Sequence, residues 1–392
     1  MRLIFLNSRL SDKSGADRWL LDIVASLQGK AETLMLFSRQ DADMPTDELR
    51  RIGPARRLKG LDTGGIGRRV TRGCLEKLED AIRNFGPDVI HSNDVVDPAV
   101  LDLIAVTGKA VVTVQDHRFF CPGPGKALPS GRICNRIFGP GCGECLADAS
   151  YLHAMLDLTL KRLEAAKKAA AVITLSEYMA KELVRVGVDK ARILVIPPIV
   201  KLPWGLGFQD DLPSGSYHLL ACRLVRHKGV RVALEAASLL ATGTRLVVAG
   251  DGPLQKEVKE AASFAGSGVR FLGWLEHGEF WKILHGALSL WMPSTWIEPF
   301  GIVGLEAGFA GVPVLAPLRG GVSDWLLPGK TGLEIGPGDA VDLAAKADYL
   351  ESNPAERLAM GLAAQTWLQE RFDPFGTLAR LMTLYQGFGP GF

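Results

Sequence analysis

Two carboxylates with seven residues between them, Glu298 and Glu306, stand in the stretch EPFGIVGLE, between an apolar run ending in MPS and a second one, VPVLAP. After the strand-like LSLWMPS, Glu298 falls in a loop, Gly301 opens a helix and Glu306 lies in that helix's early turns. The amides of Phe300, Gly301 and Ile302 then lack intrahelical acceptors and can receive phosphate or hydroxyl oxygens. The carboxylates can accept hydrogen bonds from sugar hydroxyls at two distances. A helix cap and a solvated face would account for Glu298, but poorly for Glu306 inside the otherwise apolar GIVGLEAGFAGVPV. Upstream, ACRLVRHKGV runs a strand out through Cys222 to Arg223, then to Lys228 and Gly229 as a helix begins. Two cations beside free amides at a helix start favour a diphosphate, and the plainer reading is a solvated basic turn. In AGDGP, Gly250 and Gly252 allow either close approach to a ligand or a tight turn. Neither AGDGP nor TGGIG at 63–67 has the spacing of a dinucleotide fingerprint, which argues against a nicotinamide enzyme.

Four of the six cysteines, Cys121, Cys134, Cys142 and Cys145, crowd into one segment. The Cys-x2-Cys at 142–145, with a glycine inside, has the shape of a zinc knuckle, and Cys121 with Cys134 completes four thiolates for a structural zinc. Ordinary reduced cysteines or an oxidation-sensitive pair is the competing reading, because no histidine lies inside the cluster. The stretch from Arg50 to Arg72 holds eight basic residues against one aspartate. It reads either as a docking patch for an anionic membrane surface or as a solvated loop. It lacks the interleaved aromatic residues of a nucleic-acid platform, so no nucleic-acid partner is expected.

Elements must position these residues, and the chain alternates between two kinds. Short β-branched runs (RLIFLNS, TLMLFS, DVIHSND, AVVTVQD, AVITLS, RILVIPP, then HLLACRL, RLVVAG, VRFLGW, LSLWMPS, VPVLAP) are separated by amphipathic stretches. That pattern indicates parallel strands buried on both faces by helices. At 392 residues the chain exceeds one core of roughly 150–200 residues, so two domains are expected. We place an N-terminal domain over 1–200, a Pro/Gly-rich linker over 201–216 and a C-terminal domain over 217–373. The final helix, 374–392, is left to pack on either domain. Ligands of such sheets meet the carboxyl ends of the strands. A net charge of +2 excludes binding driven by overall charge. The opening MRLIFLNSRL reads as a strand rather than a leader, and no run reaches the ~20 apolar residues of a span, so a cytoplasmic protein is expected, with peripheral membrane contact through 50–72.

The ordered set RLVRHKG, AGDGP, FLGWL, MPSTWIEPFGIVGLEAGFAGVPVLA and RGGVSD resembles the family 4 glycosyltransferases. SGADRWLLDIVASL, PDVIHSND and VITLSEYMAKELVRVGV extend the likeness over nearly the whole chain. The resemblance implies the α/β GT-B fold, two doubly wound Rossmann-like domains facing across a cleft, and retaining sugar transfer from a nucleoside-diphosphate sugar to a glycan or lipid-linked acceptor. It implies that Arg223 and Lys228 bind the donor diphosphate, Glu306 the ribose hydroxyls, and Glu298 with the amides of Phe300, Gly301 and Ile302 the sugar and distal phosphate. Gly15 would face the diphosphate from the first domain, and no cofactor would be required for catalysis. Many relatives carry a His-Asp pair after the strand matching AVVTVQD. Here Gln115 occupies the aligned position, followed by Asp116 and His117, so either His117 replaces the family histidine or Gln115 supplies a neutral hydrogen bond. A sugar-nucleotide epimerase on the same architecture, or a binding protein without turnover, are the competing functions; the E-x7-E element with RLVRHKG favours transfer.

Overall fold

A computed structural model of the protein describes residues 1–392 except 12, 43, 62–64, 201–215, 242 and 389–392. The expected linker therefore lies outside the described residues but for Ser216. The chain divides into two compact units, Met1–Pro129 with Cys134–Ile199 and Pro374–Phe392, and Ser130–Ile133 with Val200–Asp373.

The first unit begins with β1 (Arg2–Leu10), α1 (Gly15–Ser26), β2 (Glu32–Gln40), α2 (Thr46–Ile52), β3 (Ala55–Arg57) and α3 (Arg72–Phe85). It continues with β4 (Val89–Ser92), α4 (Pro98–Ala105), β5 (Ala110–Val114), α5 (Ala149–Lys167), β6 (Ala171–Thr174), α6 (Glu177–Arg185) and β7 (Ile193–Val195). Its parallel sheet runs β3-β2-β1-β4-β5-β6-β7. The apolar run of β1 explains its central place, since Leu3, Ile4, Phe5 and Leu6 are fully buried by helices on both faces. Helix α3 shows how the intervening segments fold. Thr71 accepts from the Cys74 amide at its start, Gly86 ends it in the left-handed region, and Cys74, Leu78 and Ala81 form its buried stripe.

The second unit contains β8 (Tyr217–Ala221), α7 (Val230–Leu239), β9 (Arg245–Ala249), α8 (Gln255–Ser263), β10 (Val269–Gly273) and α9 (His277–His285). After these come β11 (Leu290–Trp291), α10 (Ile302–Phe309), β12 (Val314–Ala316), β13 (Gly332–Glu334), α11 (Ala340–Ser352) and α12 (Pro354–Arg371). The parallel order is β10-β9-β8-β11-β12-β13, so the winding reverses between β8 and β11. Loops leaving adjacent strands at such a reversal splay apart, which leaves a crevice at their carboxyl ends.

The last helix, α13 (Pro374–Gln386), belongs to the first unit. Its buried Tyr385 hydroxyl lies 2.6 Å from His91 Nδ1, and His91 Nε2 lies 2.6 Å from the Thr113 hydroxyl. Burial drives the His91 pKa down to about 3, so the imidazole is neutral inside this network. Arg380 adds a hydrogen bond to the Val195 carbonyl at 2.7 Å. Among the described residues, no helix is long and apolar enough to cross a membrane.

Candidate functional site

The residues singled out in the second half gather at the β8/β11 reversal. From β8 the chain passes Cys222 and the exposed Arg223, makes a 3-10 turn over Arg226–Lys228, and enters α7 through Gly229. From β11 it passes Pro293, Ser294 and Trp296 to Glu298 and then α10. The Thr295 amide donates to the His227 carbonyl at 2.9 Å, which ties the two loops together. Gly250, after β9, supports them from below. Its φ is +132°, and a Cβ there would lie 1.9 Å from the Cys222 carbonyl oxygen, so close backbone packing demands the glycine. The Leu224 amide donates to the Asp251 carbonyl beside it at 2.8 Å.

Lys228 and Glu298, 70 positions apart in sequence, form the centre. Lys228 Nζ donates to both carboxylate oxygens, at 2.8 and 3.0 Å, with the side chains 25% and 4% exposed. Ser294 Oγ donates to the same carboxylate, and the Trp296 side chain also favours its charged form. Burial acts to raise the Glu298 pKa, but the Lys228 charge and these donors outweigh it and hold the carboxyl below its ordinary range. Glu298 is therefore an ionised acceptor and not an acid. The Lys228 ammonium lies 5.3 Å from the Trp296 ring centre, and His227 packs on the same ring with centroids 4.5 Å apart. Desolvation, then the neighbouring Lys228 charge, push the His227 pKa down. Burial pushes the Cys222 thiol up to about 12, which leaves it a packing residue and not a nucleophile.

Helix α10 begins at Gly301, whose φ of +89° turns the chain into the helix. Among the described residues, none of the Phe300, Gly301 and Ile302 amides donates to a backbone carbonyl. The Gly321 amide, in RGGVSD, donates to the Glu298 carbonyl at 2.8 Å, and Trp325 Nε1 to the Phe300 carbonyl at 2.7 Å. Those bonds hold the turn that aims the three amides. Glu306, with its side chain 18% exposed, meets the start of α9, where His277 Nε2 lies 4.0 Å from Glu306 Oε1. Trp281 Nε1 donates to that same imidazole nitrogen at 3.1 Å, which makes it an acceptor and not a proton donor to Glu306. Ser294, Trp296, His277 and Trp281 are absent from the sequence reading. Their signal was the serine and tryptophan inside MPSTWIE and a histidine opening the helix after FLGWLE.

In the first unit, Gly15 is the exposed first residue of α1, and Ser14 caps that helix by accepting from the Asp17 amide at 3.2 Å. Of the two residues left open after β5, Gln115 stands at the strand end. Its Nε2 donates to Asn93 Oδ1 at 2.6 Å, Asn93 donates to Asn7 at 2.9 Å, and Gln115 Oε1 is buried without a hydrogen-bond partner among the described residues. His117 is turned inward, 3% exposed, with Nε2 3.2 Å from the Tyr178 hydroxyl and its ring edge-on to Phe120. The four clustered cysteines are free and half-buried, and among the described residues no three His, Cys, Asp or Glu side chains are placed to hold a metal ion.

Two doubly wound α/β units, each with parallel strands in a reversing order, define a GT-B protein. Anabaena Alr3699/HepE, solved with UDP and glucose, superposes with a TM-score of 0.72 at 19% identity over 99% of this chain and 100% of its own. WaaG, a glycosyltransferase of lipopolysaccharide biosynthesis, gives 0.70 at 15% identity over 98% and 100%. The model for Glycosyltransferase Family 4 matches residues 13–202, and that for Glycosyl transferases group 1 matches residues 216–367. The chain belongs to glycosyltransferase family 4. A glycogen synthase from Mycobacterium tuberculosis is 29% identical over 300 residues, 74% of this chain but 66% of the synthase, just under two thirds of its length. A GDP-mannose-dependent monoacylated alpha-(1-6)-phosphatidylinositol monomannoside mannosyltransferase from Corynebacterium glutamicum is 31% identical over 43% of this chain and 45% of its own.

Proposed function

We propose that the chain is a retaining glycosyltransferase that moves a sugar from a nucleoside-diphosphate sugar to a polysaccharide, lipopolysaccharide or lipid-linked acceptor, with no metal in the chemistry. The reading is carried by the Lys228–Glu298 pair lying beside Arg223 and the amide-bearing start of α10, at the winding reversal of the second unit. Lys228 and Arg223 take the donor diphosphate. Glu306 takes the ribose hydroxyls, and Glu298 with the Phe300, Gly301 and Ile302 amides takes the sugar and distal phosphate. Relatives solved with UDP and glucose and relatives named for GDP-mannose support a nucleotide-sugar donor without choosing its base.

Fixed cations and oriented amides stabilise the departing nucleoside diphosphate as it gains charge, which is the service a divalent ion would otherwise supply. The anomeric carbon loses its bond to the phosphate oxygen and gains one to the acceptor oxygen on the same face. The acceptor proton passes to the leaving phosphate. Glu298, buried, ionised and engaged by the Lys228 and Ser294 donors, is a binding group in this scheme and not a nucleophile.

A membrane-surface acceptor fits the basic run only in part. Arg51 pairs with Glu48 and Asp22, Arg72 with Glu76, Arg50 with Asp47, and Arg57 bonds the Ser38 carbonyl. Arg56, Lys59, Arg68 and Arg69 are exposed, and each contributes about 1 kcal/mol beside an anionic bilayer. Sedimentation with anionic against neutral vesicles tests this part by itself.

The transfer reading is tested by incubating the full chain with a panel of UDP- and GDP-sugars in excess EDTA, with and without lipid-linked or glycan acceptors. Sugar transfer or slow donor hydrolysis that persists in EDTA and disappears in Lys228→Ala supports it. Conversion of the donor sugar without hydrolysis or transfer would identify an epimerase instead.

A further inference from the structure

The segment that separates β5 from α5 is ordered without a core of its own. From 128 to 148 no residue is buried, and the regular structure there is one 3-10 turn, Pro140–Glu144. Ile133 and Ile137 are 43% and 58% exposed, so apolar burial does not hold the segment down. A stretch of this length with so little buried surface needs cross-links to keep one conformation.

Polar cross-links hold it, and some of them fix the cysteines. Lys126, 3% exposed and with a left-handed φ of +63°, is the anchor. Its ammonium pairs with Glu182 of α6 at 2.9 Å and donates to the Arg136 carbonyl at 2.6 Å. Its carbonyl accepts from the Cys134 amide at 2.7 Å, and its own amide points at Cys121 Sγ, 3.4 Å away. One residue thus fixes Cys121 and Cys134 from its two sides. At the other end the Cys145 and Leu146 amides both donate to the Cys142 carbonyl, at 3.0 Å, which makes a knuckle of the Cys-x2-Cys. The knuckle is laid on the Cys121 turn, with the Cys145 Cβ 3.4 Å from where a side chain on Gly123 would begin.

We propose that Cys121, Cys134, Cys142 and Cys145 together bind one zinc ion that staples this segment to the first unit. The sulfurs do not yet form a cage, and closing on the ion means turning the thiols inward on a backbone already gathered by Lys126 and Gly123. Binding releases thiol protons to solvent and changes no oxidation state. A ligand set of thiolates alone selects zinc over magnesium or calcium, and a sphere closed by four protein ligands has no open position for a reacting water. The site is structural and independent of the donor site.

The test uses the full chain purified under reducing conditions without chelator and analysed for metals. About one zinc per chain is expected, released when the thiols are blocked by an organomercurial. Cys142→Ser and Cys145→Ser should each lose most of it, while Cys74→Ser, on the buried face of α3, should keep it. Should the knuckle variants fail to fold, wild-type protein stripped of zinc and titrated with cobalt(II) should show the intense visible and thiolate charge-transfer bands of a tetrahedral four-sulfur site. Zinc below about a tenth of an equivalent together with absent cobalt bands would overturn the proposal. So would zinc retained in both knuckle variants, or a mass showing these cysteines already joined as disulfides.

Discussion

Replacing Lys228 with alanine removes the only ammonium seen on Glu298 among the described residues and leaves that carboxylate 4% exposed. Truncating one partner of a buried pair costs about 3–5 kcal/mol, and because Lys228 is one quarter exposed we expect less than that, about 2–3 kcal/mol. For a unit of this size that is a fall of roughly 5–10 °C in melting temperature. The double variant Lys228→Ala/Glu298→Gln, which removes the stranded charge, should recover about 1–2 kcal/mol. Activity should not follow stability: both variants lose the cation that meets the diphosphate, and kcat/KM should fall about 10²–10³-fold in each. The pH dependence supplies an internal check. In the wild type the Glu298 pKa is held below its ordinary 4.5, so its contribution is full above that value and is lost as pH falls through the lowered folded one. Without Lys228, burial is left to raise the pKa, and mild acid should stabilise the variant relative to neutral pH. Thermal melts from pH 4 to 8 with steady-state kinetics would read all of this. A Lys228→Ala protein with unchanged melting temperature, or a double variant no more stable than the single one, would refute the buried-pair reasoning.

Gly250→Ala should be poorly soluble or lose more than about 3 kcal/mol, because its Cβ would collide with the Cys222 carbonyl; urea denaturation of the soluble fraction measures it. His117→Ala should cost about 2–3 kcal/mol through lost packing on Phe120 and Tyr178 while kcat/KM of the folded enzyme stays within about tenfold; a large loss of kcat with an unchanged melt would instead make His117 catalytic. Tyr385→Phe removes the hydroxyl beside His91 and should cost about 1–3 kcal/mol in thermal or chemical unfolding. His91 and His218 are buried neutral, with folded pKa values of about 3 and about 4 against an ordinary 6.5. Their contribution is therefore full above pH 6.5 and shrinks as pH falls toward 4, so the melting temperature should drop steadily over that interval.

The alternation of apolar strands and amphipathic helices was readable because parallel strands buried on both faces carry their signal locally, as Leu3 to Leu6 do. The carboxylate pair and the cations could be placed at strand ends for the same reason. What joins them could not. Lys228 meets Glu298 across 70 residues because β8 and β11 become neighbours, a relation that no periodicity records. His277, at the start of α9, comes within 4.0 Å of Glu306 in α10, and nothing near either residue in sequence announces it. AGDGP was ambiguous between a ligand contact and a turn, and the collision of Gly250 with Cys222 shows a loop packed too tightly for any side chain. The docking of α13 depends on His91, 294 residues from Tyr385, so its own sequence left the choice of unit open.

The most direct measurement is a crystal structure of the full chain with a nucleoside diphosphate bound in the presence of EDTA. The account predicts the pyrophosphate against Arg223, Lys228 and the first amides of α10, the ribose hydroxyls on Glu306, and no metal between the phosphates. A diphosphate bound away from the β8/β11 reversal, or one bound there only when a divalent ion bridges it, would contradict the account.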